Sequence, residues 1–580
     1  MLFPKQNILR DRGPSKKFFH RRRPGFVNPF FFRGSKSLIE PVSADVIFSG
    51  GLVITMENQV EAQPLDVAVA NGRILELRNR GNWTDLKGPE TSVLDVNGKT
   101  LMPGLIDSHN HMGLYGQNLD GVDVSPGKVE TLEDLVDKVK NKAGHTPPGQ
   151  WIKAWGYNDS YLKEKRHPMK EDLDRACPNH PVKVMRTCMH AMAVNSIALK
   201  MAGICEKTPD PEGGRIGRDR DGKPNGILYE IGAMDLINRL IPEPDPEDCA
   251  RFLKLASDVY VREGLSMVTE AGAGWSGNPN EAAGFQVASR SQRLMPRVSM
   301  GLMEKTYKLF PKDGGLGLFT GFGDDFLRMG PIKFVADGGT GARTAALSKP
   351  YEGSDFCGFM CEDPESLTKR MEEAHRSGFQ ISVHALGDVT IDRVLGAYES
   401  ILSRHPRPHR HRIEHLVVCR PDFIPRLKKL GLIAVVQPAF FYYLGDGMAE
   451  NIGQERISFM KPIKSMLDQG VVVAGSSDRP VTEGNPWVGM WAATQRTTFA
   501  GQCLGPEERI STGEALKLWT INGAYANFAE DRVGSLSPGK FADIVVLDEN
   551  PLGMDSAELK NIKVNRTFIN GQEVYRRGDS

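Results

Sequence analysis

Between residues 103 and 532 short apolar β-type runs alternate with helical stretches, which restricts the chain to a parallel α/β architecture. The runs include residues 182–185, 265–269, 298–302, 332–336, 381–384, 412–416, 432–437 and 471–475, with helical segments such as 364–377 and 391–404 between them. Ionisable residues recur at the carboxyl ends of such runs: His109 and His111, His384, His415 and Asp478. In a (β/α)8 TIM-like barrel those ends meet around one mouth, where the βα loops build the active site. The expected fold class is therefore α/β, with a TIM-like barrel over residues 103–533. Residues 115–242 exceed what one barrel unit needs and contain a hairpin-like stretch at 214–226, so an insertion near the substrate entrance is expected there.

The two ends of the chain have a different texture. Residues 47–54 read as one β run, and 66–77 as a hairpin turning at Asn71-Gly72. Residues 541–547 read as a strand, and 567–575 as a second hairpin turning at Asn570-Gly571. Two hairpin-rich tails around a long middle predict a small composite β-sandwich domain built from residues 44–102 plus 534–580. Residues 1–43 are Arg-rich and acid-poor, which predicts a basic, disordered extension; an organellar transit peptide, with a mitochondrial location, is the alternative.

A chain of 580 residues is too long for one compact core. Its formal net charge of +1 favours neither nucleic acid nor an acidic membrane as partner. No apolar stretch approaches the roughly 20 residues that span a bilayer. The eight cysteines are scattered without a CxxC pair, so free thiols and a cytoplasmic location are expected. The expected partner is a small-molecule substrate, and a homodimer is left open.

His109 and His111 lie two apart in a run that begins as a strand, so period-two geometry puts both imidazoles on one face, close enough to chelate one cation. Alone, such a pair is weak. A lone histidine at 384 or 415 reads as a packed core residue, and a lone Asp478 as a turn or cap. Together, two histidines on the first strand, one on each of two later strands and a terminal aspartate compose a hydrolytic metal site.

The stretches Pro103-Gly-Leu-Ile-Asp-Ser-His-Asn-His111, Arg186-Thr-Cys-Met-His190, Lys333-Phe-Val-Ala-Asp-Gly338, Val383-His-Ala-Leu-Gly-Asp388, Arg412-Ile-Glu-His415, Gly475-Ser-Ser-Asp478 and Gly534-Ser-Leu-Ser-Pro-Gly-Lys-Phe-Ala-Asp543 give the chain its resemblance. It resembles the amidohydrolase superfamily, and within it the YtcJ-like branch that includes N-substituted formamide deformylase, over residues 44–577. The resemblance implies that His109, His111 and Asp478 bind the more buried divalent metal, zinc by expectation, and that His384 and His415 bind a second. Lys333 would bridge the two if carboxylated; left as an ordinary lysine pairing with Asp337, it implies a single metal. Asp478 would act as general base on a metal-activated water, and His190 would polarise the substrate carbonyl. Glu230 and Arg343 are weaker substrate-binding candidates. In place of the branch's usual glycine before His190 stands Met189, preceded by Cys188, which narrows or desolvates the pocket. Trp155, Tyr157, Phe440, Phe441, Tyr442 and Tyr443 are candidates for an apolar leaving-group pocket, as well as for plain core packing.

The implied reaction is hydrolysis of a non-peptide carbon–nitrogen bond of the amide or N-formyl type. Deamination, or ester or lactone hydrolysis, is the alternative on the same frame. A non-catalytic scaffold would have lost ligands, yet every histidine of the set and Asp478 are present.

Overall fold

The computed structural model describes residues 43–578 apart from 58, 160, 188–190, 212–213, 276 and 308–316. The basic extension over residues 1–43 thus lies outside the described residues but for Ser43. Eight parallel strands form the central sheet: β1 (Leu105–Asn110), β2 (Leu265–Ala273), β3 (Arg297–Met303), β4 (Leu327–Val335), β5 (Ile381–Ala385), β6 (Arg412–His415), β7 (Ile433–Val436) and β8 (Val472–Gly475). Each pairs with the next in sequence order, from β1 to β8. The strands are buried on both faces, as parallel strands under helices must be. The ring is nearly closed. At the mouth, Asp478 N–H donates to His109 O at 2.8 Å and His111 N–H to Arg479 O at 2.9 Å, which ties the end of β8 to the end of β1. Deeper in, Ile106 N–H bonds to Trp519 O at 2.7 Å instead of to β8. The Trp519 ring sits so close that a Cβ on Gly475 would meet it at 2.5 Å, so a side chain there would push β8 away.

The helix Pro364–Arg376 shows how the covering layer is encoded. Asp363 caps it by accepting from Ser366 N–H, proline opens its first turn, and Leu367, Met371, Ala374 and His375 form its buried stripe. The second expected helix runs over Asp388–Arg404.

One expected barrel strand lies elsewhere. Val182–Arg186 belongs to a separate six-stranded sheet, in which it pairs with Ile152–Tyr157 and Ala191–Val194. Val182 and Val184 share a core with the helix Leu132–Gly144, and Met185 shares another with the helix Glu230–Asn238. The hairpin Arg215–Arg218 with Pro224–Tyr229 completes that sheet.

Both chain ends contribute to two further sheets. One has the order Arg73–Asn79, Leu65–Ala70, Ala44–Ser49, Lys87–Asp95. The other joins Leu52–Ile54 and Thr100–Pro103 to Ile544–Leu547, Val564–Ile569 and Gln572–Arg576. Phe48, Val67 and Ile74 from the first pack against Leu101, Ile544 and Phe568 from the second. Both expected turns form, with φ of 51° and 72° at Asn71-Gly72 and of 52° and 71° at Asn570-Gly571, as a two-residue hairpin turn requires. The run at 47–54 is not one strand. It breaks at Gly50-Gly51, because Gly50 takes φ 82° and a Cβ on Gly51 would lie 2.6 Å from Val96 and 2.7 Å from Leu101. Arg297 of β3 clasps Asp543 in a buried two-pronged ion pair at 2.7 and 2.9 Å, which fastens the C-terminal segment to the barrel. The Pro-Gly-Lys turn before Asp543 is accordingly structural.

Candidate active site at the barrel mouth

The last residues of β1, β5, β6 and β8 converge as the alternation predicts. His109 lies near the end of β1, and His111, just past it, opens the helix Met112–Asp120. His384 comes from β5 and His415 is the last residue of β6. Asp478 follows β8 by three residues. His415 and Asp478 both hold positive φ, 75° and 58°, a strained state for a non-glycine residue that local bonds must enforce. For Asp478 one such bond is its own N–H to His109 O. Another comes through Asp107, which accepts from Ser477 N–H at 3.0 Å and Ser477 Oγ at 2.5 Å. Asp107 thus shapes the turn that carries Asp478.

The side chains enclose a small volume. Asp478 Oδ1 lies 3.3 Å from His109 Nε2 and 3.4 Å from His111 Nε2, and Oδ2 lies 3.9 Å from His415 Nδ1. The His384 and His415 ring centres are 4.5 Å apart, and those of His109 and His415 4.9 Å. One donor atom each from His109, His415 and Asp478 can be chosen so that all lie within 4.8 Å of one another. Lys333, near the end of β4, is buried and forms no ion pair among the described residues. Its stem runs close under β2, where a Cβ on Gly272 would meet Lys333 Cγ at 3.5 Å. The alternative pairing with Asp337 is not formed. Asp337 instead accepts from the N–H groups of Ala346, Leu386 and Gly387.

The surroundings of the histidines decide which nitrogens face inward. Glu414 Oε2 lies 2.5 Å from His109 Nδ1; a carboxylate only accepts here, so Nδ1 carries the hydrogen and Nε2 presents its lone pair. That Nε2 is buried with no hydrogen-bond partner among the described residues, as is Nδ1 of His111. Glu414 is itself oriented by Arg412 Nε at 2.7 Å and Ser382 Oγ at 2.6 Å. His415 Nδ1 lies 2.9 Å from Gln437 Oε1. Orphaned buried nitrogens beside a carboxylate, with imidazoles steered from behind by acceptors, are what a cation of the zinc type needs. The residues present fit a metal.

Electrostatics agree. Burial opposes charge on His111, but Asp478 and Glu270 outweigh it and push its pKa up to about 9. Burial likewise works against an ionised Asp478, yet His109, His111 and His415 hold it well below the usual carboxylate range. Burial pulls the Lys333 ammonium down to about 8 and, helped by the charge of Lys333, His384 down to about 3. The pocket stabilises positive charge at His111 and keeps the His384 imidazole neutral, as a ligand nitrogen must be.

Other candidates lie differently. His190, with Cys188 and Met189, falls outside the described residues. Arg343 is exposed and donates to Asn451 Oδ1 at 2.8 Å. Glu230 is exposed at the start of the helix Glu230–Asn238. Phe440 stacks near His415, with ring centres 6.3 Å apart. Trp155, Phe441 and Tyr443 are engaged by Asn118, Arg496 and Glu483, and Tyr442 packs on Trp491. Tyr157 is buried with its hydroxyl 3.0 Å from His167.

The comparisons with known proteins come down on the same side. A model of the amidohydrolase family matches residues 92–575. The chain belongs to the amidohydrolase family. The enzyme is thus a metal-dependent hydrolase of carbon–nitrogen bonds. It is 31% identical to N-substituted formamide deformylase of Arthrobacter pascens, over 89% of this chain and 95% of that protein. It is 29% identical to YtcJ of Bacillus subtilis (strain 168), named as an amidohydrolase, over 92% of this chain and 99% of that one. A crystal structure of an uncharacterized metal-dependent hydrolase from Pyrococcus furiosus superposes with a TM-score of 0.71 at 27% identity, covering 87% and 99% of the two chains. No helix of the described residues is long and apolar enough to cross a membrane.

Proposed function

We propose that this amidohydrolase cleaves an amide or N-formyl bond of a small molecule, with Asp478 as the general base. The observation that carries the reading is the cluster of His109, His415 and Asp478, whose donor atoms lie within 4.8 Å at the mouth. His109, His111 and Asp478 would hold one divalent ion, and His384 and His415 a second; the imidazole and carboxylate donors suit zinc. Such an ion, when bound, supplies Lewis acidity and lowers the pKa of water to about 7.

The chain's own groups supply the rest. Asp478 is held ionised by the histidines around it, so it can accept a proton as water adds to the carbonyl carbon. As the C–N bond breaks, it returns that proton to the leaving nitrogen, giving an amine and a carboxylic acid (formic acid, for an N-formyl group) that releases its own proton to solvent. Lys333 is suited to carboxylation. It is buried, forms no ion pair among the described residues, and burial brings its pKa close enough to neutrality that the amine form, the one that attacks carbon dioxide, is populated. Trp275, half exposed with its ring 5.3 Å from that of His111, offers an apolar wall for the substituent on nitrogen. The similarity to N-substituted formamide deformylase supports the same substrate class. Seven free cysteines among the described residues support a reducing compartment, which we take to be the cytoplasm.

Turnover on a matched panel of N-formyl amines, longer amides, esters and amines tests the reading. Release of formate and amine from the first group is expected. Turnover of the esters alone would overturn it.

A further inference from the structure

We propose that Lys461 is a positioning residue that sets the tautomer of His415 through the side-chain amide of Gln437. This rests on the metal reading of the mouth.

Lys461 lies in the segment between the helices Gln454–Ile457 and Ile463–Asp468, far in sequence from every histidine of the site. It is fully buried. Its Nζ donates to His415 O at 3.1 Å and to Gln437 Oε1 at 3.0 Å, and it stands 4.7 Å from the centre of the Phe440 ring. No carboxylate forms an ion pair with it among the described residues. Burying an amine without a counter-ion is costly, so packing alone would favour a methionine or leucine here. Its backbone is held on both sides, Lys461 N–H to Val417 O at 3.0 Å and Arg496 Nη1 to Lys461 O at 3.1 Å.

Those contacts fix the amide of Gln437. Its Oε1 receives Lys461 on one side and faces His415 Nδ1 at 2.9 Å on the other, while its Nε2 donates to Ser476 Oγ at 3.0 Å. Ser476 Oγ donates in turn to Val436 O at 2.8 Å, so the hydroxyl is free only to accept from the amide. A flipped amide would set NH2 against the Lys461 N–H groups and an oxygen against a hydroxyl that has no hydrogen to give. With Oε1 locked as an acceptor, His415 Nδ1 must carry the hydrogen, and Nε2 keeps the lone pair that a metal ligand needs. Lys461 requires only N–H groups for this, so the device works whether the amine is charged or neutral. Glu414 does the same for His109 by a direct bond. At His415 the acceptor is a neutral amide, which has two ways round, and a third residue has to choose between them.

The test is cobalt binding to the full-length metal-free protein, followed by its visible spectrum and by competition with a chelator. Lys461→Met is expected to weaken cobalt affinity by about 10- to 100-fold and to alter the cobalt spectrum. Gln437→Glu, whose carboxylate accepts from both neighbours without a choice of orientation, is expected to keep cobalt affinity near that of wild type, also when combined with Lys461→Met. Unchanged affinity and spectrum in Lys461→Met would overturn the proposal, as would equal losses in Lys461→Met and the double variant. If Lys461→Met does not fold, Gln437→Leu carries the same predicted loss and the same overturning result. A wild-type protein that binds no cobalt would sink the metal reading itself, a result distinct from either outcome for Lys461.

Discussion

Two groups of four histidines sit at opposite ends of the barrel strands. At the carboxyl end are His109, His111, His384 and His415; at the amino end of β5 and β6 are His375, His405, His409 and His411. Both groups are crowded, with ring centres 4.5 Å apart for His384 and His415 and again for His409 and His411. They differ in how their nitrogens are used. Ile381 N–H donates to His411 Nδ1 at 3.0 Å, so His411 Nε2 carries the hydrogen and gives it to His375 Nδ1 at 2.8 Å. His375 Nε2 then gives its own to His405 O at 2.7 Å, and His411 N–H donates to His409 Nδ1 at 2.9 Å. That chain runs donor to acceptor and leaves nothing over. At the mouth, His109 Nε2 and His111 Nδ1 are buried without hydrogen-bond partners among the described residues, and a carboxylate stands beside them. Among the histidines, unmet bonding capacity and not crowding distinguishes the end that holds chemistry.

The contrast can be broken by substitution. Asp478→Asn keeps the shape of the mouth but removes the base, and kcat is expected to fall about 10²- to 10⁴-fold in steady-state assays. Glu414→Gln weakens the acceptor behind His109 and leaves Arg412 without its buried counter-ion. A 10- to 100-fold loss of metal affinity is expected by chelator competition, with a stability cost of about 3–5 kcal/mol by denaturant titration. Trp275→Ala, at the rim, should raise KM for substrates with an apolar N-substituent by about ten-fold and leave small formamides nearly unaffected. At the other end His375→Ala should leave metal content and kcat unchanged and cost about 1–3 kcal/mol of stability, because it strands His411 Nε2.

The amino-terminal group also sets a pH dependence. Burial, and the charge of Arg407 nearby, keep His375, His409 and His411 below the ordinary histidine range, His409 at about 4, while Glu372 opposes the shift at His375. The unfolded chain takes up protons near pH 6.5. Stability from these groups is therefore complete above about pH 6.5 and lost as pH falls below it toward the folded values. Thermal unfolding of the metal-free protein should show Tm falling from pH 6.5 toward 4, with a shallower fall in His409→Asn. An unchanged slope in that variant would remove His409 from this explanation.

The mouth was legible in the sequence because strand ends are legible. His109, His384, His415 and Asp478 each close a run whose periodicity is readable, and a parallel barrel brings such ends together whatever the loops do. Glu414 was within reach, since Arg412 and Glu414 share a face of β6 by alternation. Lys461 was not. It lies in no strand, its partners are 24 and 46 residues away, and nothing local marks a lysine as buried. Nor did periodicity distinguish Val182–Arg186 from a barrel strand, because an apolar run of five fits either sheet. The break at Gly50-Gly51 is not legible for a similar reason: the need for glycine arises from Val96 and Leu101, which pack there only in the folded chain.

The most direct test of the metal-site reading is metal analysis of the purified protein beside the Asp478→Asn variant. The wild type is expected to carry one divalent ion per chain, or two if Lys333 is carboxylated, and the variant to retain metal while losing activity. Full activity in metal-free wild-type protein would contradict it.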